Sequence, residues 1–260
     1  MSLLNVRNLC YLILTPTTIY AGTMGGVYKS VNGGASWSEC NNGLSELVFS
    51  LIIDPTNPSI LYAASFFSGV YKSVNGGESW NKSSNGVSDV NVLVLDPQTP
   101  STIYAGTDIG VFKSINGGVS WTETNNGLTV EKIISLTIDP HTPSIIYAGA
   151  NSSVFKSVNG GVNWYEISTG LIADTVSILV ADPKNPSTLF AGTDRGVYIS
   201  LNGGLYWTEA NQGLPYSTVE TLAIDPQKPS TIYAGISGDG VFKGQVVILE
   251  YDLSLPVIQH

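Results

Sequence analysis

Short apolar runs alternate with stretches rich in Gly, Pro, Asn and Ser along the whole chain. The runs are strand-length, bounded by turn residues, and far shorter than the roughly 20 apolar residues that span a bilayer. One class of run ends in Asp-Pro: VFSLIIDP, VNVLVLDP, IISLTIDP, VSILVADP and VETLAIDP, closing at Asp54, Asp96, Asp139, Asp182 and Asp225. A second proline follows each, at Pro58, Pro100, Pro143, Pro186 and Pro229. Proline cannot donate to a ladder, so DPxxP ends one strand and turns toward the next. The next run is IYAG or a close copy, around Tyr20, Tyr62, Tyr104, Tyr147, Phe190 and Tyr233. The third is GVYKS or a close copy, around Tyr28, Tyr71, Phe112, Phe155, Tyr198 and Phe242.

After the third run comes SVNGGASW, Ser30 to Trp37, which returns at Ser73–Trp80, Ser114–Trp121, Ser157–Trp164 and Ser200–Trp207. Asn accepts hydrogen bonds from nearby amides and Gly tolerates positive φ, so Asn-Gly-Gly predicts a hairpin turn. The tryptophan then anchors a fourth strand with the largest apolar surface of the unit. The separations of the tryptophans are 43, 41, 43 and 43 residues. Such a period, with four short strands per unit, is that of propeller blades.

The 260 residues hold about six such units. The prediction is an all-β, six-bladed β-propeller of four-stranded antiparallel blades, one domain over 1–260. The blades fall near 8–41, 47–84, 89–125, 132–168, 175–211 and 218–252. The first lacks the Asp-Pro and the last lacks the turn and the tryptophan, so the seam of the ring is expected between them. A piece of a larger propeller is the alternative. The repeated residues Asn32, Trp37, Asn75, Trp80, Asn116, Trp121, Asn159, Trp164, Asn202 and Trp207 are read as structural, because a binding site needs no five copies.

Composition narrows the function. Charged residues are 12% of the chain, against roughly 25% in an average domain, and the net charge is −9. That balance opposes phosphate backbones and anionic lipid, so nucleic acid and membrane insertion are not expected. Cys10 and Cys40 occupy unmatched positions and read as two free thiols, with a disulfide between them as the alternative. MSLLNVRNLCYLIL has the outline of a leader but no small-residue cleavage site, and runs directly into the first repeat.

The recurring S-x-N-G-G-x-x-W resembles the Asp-box, or BNR, repeat, usually Ser-x-Asp-x-Gly-x-Thr-Trp. Here asparagine replaces the aspartate throughout, keeping the acceptor and losing the charge. The repeat is shared by sialidases, xyloglucan-degrading glycosidases, sortilin-like propellers and photosystem II assembly factors, so it implies a fold and not a function. The resemblance to sialidases implies three arginines gripping a carboxylate. This chain has only Arg7 and Arg195, which excludes that activity.

His141 lies at a variable turn position and His260 is terminal, so hydrolase triads and zinc sites lack support and no metal or cofactor is expected. Lys-Ser in GVYKS lacks the Gly-Lys of a phosphate loop. Glycoside hydrolysis needs only two acids. Better candidates than the repeated Asp-Pro aspartates are the unrepeated acids Asp89, Asp108, Glu131, Asp174, Asp194, Glu220 and Asp239, which fall on the face opposite the Asn-Gly-Gly turns.

On a rigid repeat scaffold, function tends to sit in the loops that break the repeat. Phe66 and Phe67 replace small polar residues in one such loop, and adjacent exposed rings mark contact sites. Tyr216 and the Asp194–Arg195 turn share that face. The expectation is a monomeric, non-catalytic binding or scaffold module for a protein segment or glycan, through Phe66, Phe67, Asp108, Asp194, Arg195, Tyr216 and Asp239. The alternative is a glycosidase with paired carboxylates. Low charge and abundant Asn, Ser and Thr point to the cell exterior or envelope, where the sequons at Asn81 and Asn151 would matter.

Overall fold

The computed structural model describes residues 10–13, 17–44, 47–65, 67–225 and 227–245. Its regular structure is β throughout: six antiparallel sheets follow one another along the chain as the blades of a propeller. The first five have four strands in sequence order, and three strands of the sixth are described. The expected fourth strand of that blade falls beyond residue 245, outside the described residues.

The third blade shows how the repeat folds. Val90–Leu95 lies innermost, followed by Ile103–Thr107, Gly110–Ser114 and the short outer strand Thr122–Glu123. Ile103–Thr107 is buried on both faces because a neighbouring blade covers each side. Ile103 and Ala105 pack toward the second blade, and Tyr104 points the other way, toward the fourth. Gly106 shares Tyr104's side, and a Cβ there would lie 2.7 Å from Val92 Cγ1 and 2.8 Å from Ile133 Cγ2 of the next blade. A Cβ at Gly106 would therefore force one of those side chains to shift, whereas the second blade accommodates Ala64 at the equivalent position, against Val90 of the next blade.

The eight-residue motif folds as a pinned turn. At the third box Gly117 and Gly118 have φ of 67° and 85°, a region that penalises any Cβ. Asn116 Oδ1 accepts from Ser114 Oγ at 2.9 Å and from Ser120 N at 3.0 Å. Ser114 Oγ in turn accepts from Gly118 N at 2.9 Å. The amide of Asn116 also donates to Ser120 Oγ at 2.9 Å, a bond that aspartate could not make. Asn32 and Asn75 do the same to Ser36 and Ser79.

The Asp-Pro aspartates cap their own turns. Asp96 Oδ1 accepts from the amides of Gln98 and Thr99, and Asp139 from those of His141 and Thr142. Gly117 N donates to Ser101 O at 2.8 Å, so the Asp-Pro and Asn-Gly-Gly turns share one face of the propeller.

The blades are latched in both directions. Trp80, Trp121, Trp164 and Trp207 donate their indole N–H back to carbonyls of Cys40, Ser83, Thr124 and Ile167 in the preceding blade. Lys29, Lys72, Lys113 and Lys156 donate forward to the carbonyls of Gly76, Gly117, Gly160 and Gly203. Each of these lysines lies over a tyrosine ring of its own blade, 5.2–5.3 Å from the centroid. Five apolar clusters fill the spaces between successive blades, from one–two to five–six. Among the described residues no such cluster joins the sixth blade to the first. Trp37, in the first blade, is half-buried where the other four indoles are buried.

Candidate functional site on the loop face

The face opposite the boxes is formed by the turns between second and third strands and by the connections between blades. Two devices hold these loops. A bulge near the start of each innermost strand in blades two to six shifts the register, for example between Val48 and Ser50 and between Val219 and Thr221. Bulges re-aim side chains at the rims of sheets. Asparagines at the end of the outer strands then pin the turns. Asn41, Asn125 and Asn211 accept from the amides of Val27, Val111 and Val197 at 2.6–2.7 Å, and donate to the carbonyls of Gly25, Ile109 and Arg195.

The expected site residues separate into groups. Phe66 lies outside the described residues. Phe67 is 73% exposed at the tip of its turn, and Met24 and Ile109 stand exposed at the corresponding tips of the first and third blades. Three successive blades therefore present apolar tips.

Asp108 is tied down. Its Oδ1 accepts from Asn91 Nδ2 at 2.9 Å and faces Lys132 Nζ at 3.1 Å. Burial pushes its pKa up, but the hydrogen bonds of Asn91 and Lys132 and the lysine's charge outweigh that and hold it below the ordinary value. Asn91 is the residue left unpaired by its bulge, a role the alternation of the strand does not reveal.

Asp194, Arg195 and Tyr216 are brought together, with Asp174 as a fourth member. Asp194 Oδ1 accepts from the amides of Asp174 and Thr175 at 2.9 and 3.0 Å. The Arg195 guanidinium lies 3.4 Å from Asp174 Oδ2 and 3.9 Å from Asp194 Oδ2. Tyr216 stands beside Arg195 and is 74% exposed. Asp239 is exposed on the sixth blade and is not part of this cluster.

The chemistry open to these groups is limited. A glycosidase acid needs a raised pKa, yet the described carboxyls with a shifted pKa, Asp54, Asp108 and Asp225, are all lowered. Cys40, beside Lys29 and Gly76 on the box side, has its thiol pushed up to about 11 by burial, against the opposing pull of Lys29. It is a poor nucleophile. Among the described residues no group of three His, Cys, Asp or Glu side chains could hold a metal, and no helix is long and apolar enough to cross a membrane.

No protein-family model and no curated protein matches the chain. Solved propellers do. An ancestral GH74 enzyme is 28% identical over 76% of this chain, with a TM-score of 0.64 and 28% of its own length covered. The extracellular domain of the hybrid two-component system BT4673 from B. thetaiotaomicron is 17% identical over 94% of this chain, with a TM-score of 0.76 and 33% of its own length covered. YCF48 bound to D1 peptide is 12% identical over 93% of this chain, with a TM-score of 0.65 and 82% of its own length covered. The chain thus spans about a third of the first two structures. These neighbours include both enzymes and binding propellers, so the fold they share does not choose a function.

Proposed function

We propose that the chain is a non-catalytic binding propeller that holds a protein segment against its loop face. The observation that carries this reading is the row of exposed apolar tips, Met24, Phe67 and Ile109, on three successive blades. Solvent-exposed apolar side chains that cluster mark contact surfaces. The charge of the same face selects among partners. Asp89, Asp108, Glu131, Asp174, Asp194, Glu220 and Asp239 lie on it against Lys132 and Arg195. An apolar segment carrying Lys or Arg complements that surface better than a neutral glycan does. The peptide on YCF48 is a precedent on a similar fold. We place the protein outside the cell or in the envelope, consistent with its low charge density and with the extracellular domain among its neighbours.

An array of apolar–basic peptides beside a glycan array tests the proposal. Peptides should bind, more weakly at high salt, and a Phe67→Ser, Ile109→Ser chain should lose them. Binding to glycans alone would overturn it.

One arrangement favours a second reading, a glycosidase. Asp174 and Asp194 share the Arg195 guanidinium, so two carboxylates sit close together on the loop face, and retaining or inverting hydrolysis needs such a pair. Against it, the Asp174 side chain is 80% exposed, whereas a hydrolytic site encloses its substrate in a cleft. Release of reducing ends from xyloglucan, abolished by Asp174→Asn, would establish this reading in place of the first.

A further inference from the structure

We propose that the outward face of the sixth blade is a docking surface for one further blade of the same repeat, bearing its own Asn-Gly-Gly turn. The inference rests on interfaces that the chain repeats internally, and it is independent of the loop-face reading.

In the first four blades the Tyr–Lys pair and the acceptor turn occur together. Lys29 and Tyr20 both donate to Gly76 O, and Lys113 and Tyr104 both donate to Gly160 O. The fifth blade is the informative exception. Its pair is Phe190 and Ile199, and the sixth blade, which would supply the acceptor, has no Asn-Gly-Gly turn. Where the acceptor is missing, the donors are missing too.

The sixth blade restores the donors. Lys243 Nζ stands 5.8 Å from the Tyr233 ring, the arrangement of the first four blades. Among the described residues neither side chain has a carbonyl to grip. The first blade carries an Asn-Gly-Gly turn at Asn32–Gly34, but among the described residues no hydrogen bond joins that turn to Lys243.

Packing agrees with the hydrogen bonds. Val27, Val70, Val111, Val154 and Val197 are 0% exposed under the next blade, whereas Val241, at the same position, is 75% exposed. Thr221 and Ala223 on the innermost strand of that face are exposed as well. Gly106, Gly149 and Gly192 keep room for Ile133, Val176 and Val219 of the following blade. Gly235 keeps the same room, yet a Cβ there would meet only Thr221 of its own blade. Among the described residues the face thus has an open glycine notch, an uncovered valine and two donors with no acceptor. The occupant that fits is a unit with a β-branched innermost strand and a tight turn offering its carbonyl.

The test places a single thiol at the face. In a chain carrying Cys10→Ser, Cys40→Ser and Val241→Cys, maleimide labelling should be fast. Fusing a second copy of residues 132–168 after His260 should slow it on the order of tenfold, as burial does for locally closed sites. Lys243→Met in the fused chain should restore much of the speed. Three results would overturn the proposal: slow labelling in the unfused chain at every concentration, meaning the first blade closes the ring; slowing that grows with protein concentration, meaning a second copy is the occupant; or no slowing on fusion in a chain that still melts cooperatively.

Discussion

The ammonium of Lys113 in the third blade donates to the carbonyl of Gly160 in the fourth blade's turn, at 2.9 Å. It makes this bond while lying over the Tyr104 ring. The bond crosses between blades, so together with the Trp164 indole bond to Thr124 O it couples units whose remaining contact is largely apolar packing.

Lys113→Met keeps the stem over the ring and removes the donor. It should cost about 1 kcal/mol, the net worth of a partly exposed charged hydrogen bond, read as a lower midpoint in chemical denaturation. Ile199→Lys supplies the opposite control. It introduces the same ammonium where no acceptor turn follows, and it should destabilise.

The tryptophans should rank by burial. Trp121→Ala removes a buried anchor and its bond to Ser83 O, with an expected loss of about 3–5 kcal/mol. Trp37→Ala, at a half-buried ring, should cost clearly less. Denaturation midpoints of the two variants compared with the parent decide this.

Alkaline pH should loosen the blades. Burial pushes the Tyr104 and Tyr147 hydroxyls up to about 12, from 10.0, with the charges of Asp96 and Asp139 adding to the shift. A raised pKa means the folded state holds the proton more tightly than the unfolded chain does. The resulting stability is complete below pH 10 and drains away as pH rises toward 12. Thermal midpoints across that range should fall, and Tyr104→Phe should flatten the fall. A midpoint independent of pH in that window would contradict the assignment.

Much of this architecture was legible in the chain. Asn-Gly-Gly turns, Asp-Pro caps and the 43-residue spacing are local signals, and local signals survive without coordinates. The aspartates of DPxxP cap turns because the amides two and three residues on are always within reach. The forward latch was less visible: Lys113 and Gly160 are far apart in sequence, and only the ring of blades brings them together. The pinning asparagines Asn41, Asn125 and Asn211 are not part of the sequence reading, although their recurrence after the outer strands of the first, third and fifth blades is a usable signal. Of the site residues, Asp194 and Arg195 were expected together, but Asp174 joins them through a connection between blades that no spacing rule anticipates. Asn91 reaches Asp108 from a bulge, and alternation along a strand hides a bulge by construction.

The central claim is that the tryptophan turns hold blades together while recognition belongs to the opposite face. Amide hydrogen exchange of the chain with and without a peptide taken from the array tests it most directly. Protection should gather at Met24, Phe67, Ile109 and the Asp174–Arg195–Tyr216 cluster, leaving residues 31–37, 74–80 and 115–121 unchanged. Protection confined to those turns, with the loop face unaffected, would contradict the account.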